Sequence, residues 1–247
     1  MATTKTMTKT TSSLDFDDIA FLTNFAKAVV MDYCGDSYMM VAHSKADRSE
    51  FDVEQVLVSG RLKKGLTYKG NHRLVLVTPP LEAPFGASSF DGTKFTLPLS
   101  LPTARNKYMS DAIDIEAIAN WRKLITFMEK QIRGGCGEWT EHVNYLPLIR
   151  PSADAAKYPD RMRVKILPEE SIFVNTETGY SMDFREIPKH STCVCALRVT
   201  PSWRMPDGRY GFTLEVLRAD VTPRKSTQGP STATSPSKNV DMVTGTP

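Results

Sequence analysis

Apolar residues recur at two different periods along this chain, and the switch between them divides it into segments. From Leu14 to Val30 the period is helical: Ile19, Leu22, Phe25, Ala26 and Val29 share one stripe, Asp15 caps, and Asp17 and Asp18 suit the first turn. Between Val53 and Leu101 the period falls to two. Val53–Val58 reads as a strand, and Leu66–Tyr68 with Leu74–Val77 read as a hairpin around Lys69-Gly70-Asn71-His72. Thr78-Pro79-Pro80 cannot continue a central ladder, because neither proline donates a backbone hydrogen bond. Pro84-Phe85-Gly86 is an irregular turn, and Asp91-Gly92 tips a hairpin into Phe95, Leu97 and Leu99.

A long helix follows at Ile115–Ile132, with Ile118, Trp121, Ile125, Met128 and Ile132 on one apolar stripe. Ser110 or Asp111 is its expected cap, Asp114 and Glu116 favour its dipole, and Arg133-Gly134-Gly135 closes it. Strands return at Met162–Leu167, Ser171–Val174, Tyr180–Phe184, Cys193–Thr200 and Arg209–Val221. The expected class is α+β, mainly antiparallel β, compatible with a small barrel.

Composition adds boundaries. Residues 1–13 are rich in Thr, and residues 222–247 are dominated by Ser, Thr, Pro and Gly with no Leu, Ile, Phe, Trp or Tyr. Neither segment can offset ordering entropy by burial, so both are expected to be disordered tails. The organisation reads as tail 1–13, helical extension 14–50, β-domain 51–221 and tail 222–247. With 247 residues and 40% hydrophobic content, the chain can bury one sizeable core. No stretch approaches the length of a membrane span, and the N-terminus lacks a secretory apolar region, so an intracellular protein without a membrane partner is expected. A net charge of +3 announces no polyanion by itself.

Catalysis finds little support. There is no Walker A loop, no G-x-G-x-x-G after a strand, no H-E-x-x-H and no G-x-S-x-G. Cys136 and His142 lie close in sequence, but nothing nearby orients the histidine. The four histidines are scattered, and Cys34, Cys136, Cys193 and Cys195 form no C-x-x-C pair. Cys193 and Cys195 read as small buried hydrophobes. No enzyme activity, metal or cofactor is expected.

The cations are more informative. In Arg161-Met162-Arg163-Val164-Lys165-Ile166, period two puts Arg161, Arg163 and Lys165 on one strand face, spaced to match a nucleic-acid backbone. A second cluster, Arg61, Lys63, Lys64, Lys69 and Arg73, contains no acid. Near the end of the β-domain, Trp203-Arg204 and Arg209-Tyr210 interleave rings with cations, the combination that tracks phosphates while stacking bases. Phe212, Leu214 and Val216 are expected in the core, with Trp203 and Tyr210 free to reach ligand.

The run from Arg73 through Thr78-Pro79-Pro80 and Ala83-Pro84-Phe85-Gly86 to Phe90-Asp91-Gly92 resembles a block of the single-stranded-DNA-binding-like proteins of nucleocytoplasmic large DNA viruses, including algal viruses. The ending, Cys193 to Trp203 followed by Gly208-Arg209-Tyr210-Gly211-Phe212, is similar to the closing hairpin of the same family. The chain departs at Leu214, where members often carry a second Trp, and residues 14–50 match nothing in it. The resemblance implies an OB-like β-barrel that binds single-stranded DNA in viral replication or repair, in the host nucleus or a cytoplasmic virus factory, alongside other replication proteins. Under it Pro79, Pro84, Gly86 and Gly211 shape turns and close approaches. The competing class is a virion structural or scaffold module, which would show an exposed apolar patch in place of basic faces.

Overall fold

The computed structural model describes residues 38–89, 91–104, 106, 114–136 and 144–224. The expected helix at 14–30, the tail 1–13, the C-terminal tail beyond 224, Cys34 and His142 lie outside the described residues. The strands are β1 (Met39–Ala42), β2 (Phe51–Val58), β3 (Arg61–Tyr68), β4 (Leu74–Val77), β5 (Leu81–Ala83), β6 (Ser88–Ser89) and β7 (Phe95–Leu101). After the helix α1 (Ile115–Gly135) come β8 (Ile149–Arg150), β9 (Asp160–Ile166), β10 (Ile172–Asn175), β11 (Ser191–Val199), β12 (Trp203–Arg204), β13 (Tyr210–Gly211) and β14 (Leu214–Thr222).

The fold is α+β, with one long helix against a large mixed sheet. Its main path runs β1-β4-β11-β14-β9-β7-β6, with β10 beside β14, β5 beside β11 and β8 beside β9. Most ladders are antiparallel, but β1–β4, β10–β14 and β9–β14 are parallel. Among the described residues the path ends at β1 and β6 without a ladder joining them, so the expected barrel is not closed.

The helix forms where its apolar stripe demands. Ile118, Trp121, Ile125, Met128 and Ile132 are all fully buried in the main hydrophobic core, and the helix lies alongside β2 and β3. Its cap is Asp114, not Ser110 or Asp111: the Asp114 carboxylate accepts the Ala117 N–H at 3.0 Å. At the other side of the helix, Arg122 donates to Asp160 at 2.8 Å and to the Leu101 carbonyl, tying α1 to the ends of β7 and β9.

Three expectations are corrected. β3 and β4 are not a hairpin; β3 pairs with β2 over its whole length, and β4 pairs with β1 and β11. The tight turn is instead Ser59-Gly60, both with positive φ (50° and 73°), which matches the twist of a two-residue hairpin. Of the extension 14–50, residues 38–50 are described: Met39–Ala42 is an edge strand whose apolar residues complete the sheet beside β4, and Arg48–Glu50 is a single 3-10 turn capped by Asp47. Tyr180–Phe184 is not a strand either, since Asp183 caps a short 3-10 turn over Phe184–Glu186. The final strand is interrupted at Phe212-Thr213, between β13 and β14.

Cys193, Cys195, Leu197 and Val199 face the core from β11 and are buried, as are Leu214, Val216, Ala219 and Val221 from β14. Burial pushes the Cys193 thiol up to about 12 and Cys195 well above its ordinary value, so both remain protonated apolar fillers. Leu197 sits mid-ladder between β4 and β14. Leu197→Ala is expected to cost about 2–5 kcal/mol, the range for truncating a fully buried leucine. Urea unfolding followed by far-UV circular dichroism measures it.

Candidate nucleic-acid interface

Strand β9 has the alternation its sequence calls for: Arg161, Arg163 and Lys165 are exposed, and Met162, Val164 and Ile166 are buried. Since the buried set belongs to the main hydrophobic core, the cations lie on the outer face of the sheet. That face is not equally available along its length. Lys165 Nζ is 2.9 Å from Glu215, and Glu215 also accepts from Arg198 at 2.8 Å, while Arg198 reaches Glu170 at 3.1 Å. Lys165 is thus part of an ion-pair network. Arg161 lies over the ring of Phe85, 5.5 Å from its centroid, and Arg163 makes no ion pair among the described residues.

Phe85 belongs to the Pro84-Phe85-Gly86 turn and is 52% exposed. The turn requires glycine at position 86, whose φ is +66° and where a Cβ would lie 2.3 Å from the Ile187 carbonyl oxygen. Pro79 is buried in the break after β4, and Pro84 stands beside Phe85. The register of β8 on β9 places Arg150 opposite Arg161. Lys157 lies over the exposed ring of Tyr158, 5.1 Å away, in the loop that leads into β9. Phe85 and Arg150 were not legible as site residues, because only tertiary contact brings them to β9.

Trp203 reaches the same face from another direction. In the β12–β13 ladder Trp203 pairs with Gly211, and Arg204 with Tyr210. Tyr210 points into the core, so Trp203 points out, where its Nε1–H donates to Thr213 Oγ1 at 3.0 Å. Thr213 precedes the core-facing Leu214, which sets the indole on the side of the sheet that carries Glu215 and Lys165. Gly211 makes room beneath it: a Cβ there would sit 3.1 Å from the Trp203 ring and 3.2 Å from the Leu146 carbonyl, close enough to push one of them aside by a few tenths of an ångström.

Tyr210 is a correction. It is only 2% exposed and meets Tyr145 edge-on at 5.3 Å, while its backbone bonds Asn144 and Leu146. A ring so enclosed cannot stack on a base, because core packing has taken both its faces. Arg209 is held by Asp207 at 2.6 Å, and Arg204 is exposed on the Tyr210 side of the hairpin.

The sequence cluster 61–73 is divided. Arg61, Lys63 and Lys64 lie near the tip of the β2–β3 hairpin, whereas Lys69 and Arg73 lie beyond its other end, over the rings of Tyr68 and Tyr38. Eight strand residues separate Arg61 from Lys69 by roughly 26 Å. Pairing with β2 also brings Glu54 to the face of Lys63, although no acid stands nearby in sequence. The Ser202 N–H and hydroxyl both donate to the Lys64 carbonyl, at 2.7 and 2.6 Å, which seats the hairpin next to Trp203. Cys136 lies at this junction, buried, with its thiol pushed up by burial, which is the opposite of what a nucleophile needs. Among the described residues no group of three His, Cys, Asp or Glu is arranged to hold a metal ion.

No protein-family model matches this chain. No curated protein matches it either. Among solved structures it is similar to gp2.5, a single-stranded DNA-binding protein encoded by bacteriophage T7, at 9% identity and a TM-score of 0.42, over 64% of this chain and 91% of that one. It is also similar to the single-stranded DNA-binding protein from bacteriophage Enc34, at 13% identity and a TM-score of 0.41, over 71% and 96% of the two chains. At these scores the likeness assigns no function.

The Glu215 network has a measurable signature. Burial acts to raise the carboxyl's pKa, but hydrogen bonds from Lys165 and Arg198 outweigh it and hold Glu215 below its ordinary 4.5. A depressed carboxylate contributes stability that is fully present above pH 4.5 and is lost as pH falls through the lowered value. Glu215→Gln is expected to lose about 1.5–3 kcal/mol at pH 7, and the gap to the native chain should narrow below pH 4.5. Thermal unfolding at pH 7, 5 and 3 checks both the sign and the window.

Proposed function

We propose that this chain binds single-stranded DNA without catalysis and largely without regard to sequence. The observation that carries the reading is one outer sheet face on which Arg161 stands beside the exposed Phe85 ring and Arg163 follows it along β9, with Trp203 on the same face. Cations spaced along a strand neutralise successive phosphates, and flat rings accept bases of any identity through their π-faces. Arg150 on β8 extends the cationic track, and Lys64, held beside Trp203 through Ser202, begins a second one along the β2–β3 hairpin. The sequence resemblance supports placing this activity in replication or repair of a large DNA virus inside the infected cell, alongside other replication proteins.

Binding should weaken steeply with salt, since each neutralised phosphate on a single strand releases counterions. Titrating the chain with fluorescein-labelled oligo-dT at two salt concentrations tests the reading. Tight binding at low salt is expected, and no binding there would overturn it. Arg161→Ala with Arg163→Ala should lower affinity and flatten the log–log salt slope by about 1.4, the share of two phosphate contacts on a single strand. An unchanged slope would move the DNA off β9.

A further inference from the structure

The β2–β3 hairpin carries a feature that phosphate tracking does not use. Leu57 and Leu62 face each other across the ladder next to the Ser59-Gly60 turn, and they are 70% and 69% exposed. Two neighbouring leucines in water at the end of a hairpin forgo the burial that such side chains normally gain. The hairpin behind them is firmly founded. Phe51 packs edge-on against Tyr68 at 4.8 Å and against Phe127 of α1 at 6.1 Å, and the Lys64 carbonyl is anchored twice by Ser202. Gly65 lets Val56 close over the strand, since a Cβ there would lie 2.8 Å from Val56 Cγ2.

The charges around the leucines lie on both faces. Cross-strand pairing puts Lys64 on the leucine face and Arg61 and Lys63 on the opposite one, and none of the three makes an ion pair among the described residues. An apolar protein groove would cover the leucine face and leave Arg61 and Lys63 in solvent. Two DNA strands diverging around the tip would meet Lys64 beside the apolar pair on one face and Arg61 and Lys63 on the other, with the leucines at the point where a base pair opens. Leucine is among the side chains that wedge between base steps at the cost of their stacking.

On this basis we propose that the hairpin tip is a wedge for junctions between single-stranded and duplex DNA, with Leu57 and Leu62 against the terminal base pair and Arg61, Lys63 and Lys64 on the diverging phosphates. The inference rests on the single-strand reading and makes the forked end of a duplex the preferred ligand. The test compares the full chain and its Leu57→Ser/Leu62→Ser variant on a single strand and on a forked duplex whose arms have the same length and sequence. The native chain should hold the fork about tenfold more tightly, the part of the apolar gain of two leucine side chains that remains once a base step has been unstacked. The variant should lose that preference while keeping its single-strand affinity within about twofold, because both leucines lie outside the core and the β9 track. Circular dichroism checks that its fold is intact. Equal affinity of the native chain for both DNAs, or an undiminished preference in the variant, overturns the wedge alone. A leucine-dependent dimer in sedimentation without fork preference assigns the tip to a second copy and also overturns it. Failure to bind either DNA overturns the single-strand reading with it.

Discussion

Strand β14 imposes the constraint on which the rest of the sheet depends. Every residue from Leu214 to Val221 is buried, and the strand is bonded to β11 along its length, with β9 at one end and β10 at the other. A strand buried on both faces must supply partners for any polar side chain it carries, because an uncompensated charge there is costly. β14 carries three. Glu215 is satisfied by Lys165 and Arg198, and Arg218 pairs with Asp220 two residues on. The Glu215 pairs favour β9 and β11 as neighbours of β14, while the Arg218–Asp220 pair is internal to the strand. The Glu215 pairs also decide which cation of β9 is committed to the fold.

That commitment shapes the candidate interface. Lys165 faces outward like Arg161 and Arg163, yet its charge completes the Glu215 network. The cations left for a ligand are those farther along β9, toward Arg150, Phe85 and the Tyr158 loop. The β12–β13 hairpin then turns Trp203 outward and Tyr210 inward through nothing more than strand alternation. The fold and the candidate interface therefore divide one set of residues, and ladder register makes the division.

Much of the local structure was legible. The helical stripe from Ile118 to Ile132 is buried where its spacing puts it, and β9 alternates as written, because both depend on periodicities within one element. The failures share a cause. Leu66–Tyr68 and Leu74–Val77 looked like hairpin partners because they are neighbours in sequence, but the ladder energy goes to β2 with β3 and to β4 with β11. Tyr210 looked exposed because it follows a turn, yet Tyr145 encloses it from a distant segment. The run from Arg61 to Arg73 looked like one patch, although an extended strand carries its ends apart.

The α+β class, the helix with its buried stripe and the face on which each β9 side chain points can be read from the residues alone, since each follows from short-range geometry and the need to bury apolar surface. The open strand path, the pairing of Lys165 with Glu215, the burial of Tyr210 and the meeting of Phe85 with Arg161 come from the folded chain. Those outcomes turn on which strands pair and in what register, and pairing is a competition among distant segments that no local pattern records.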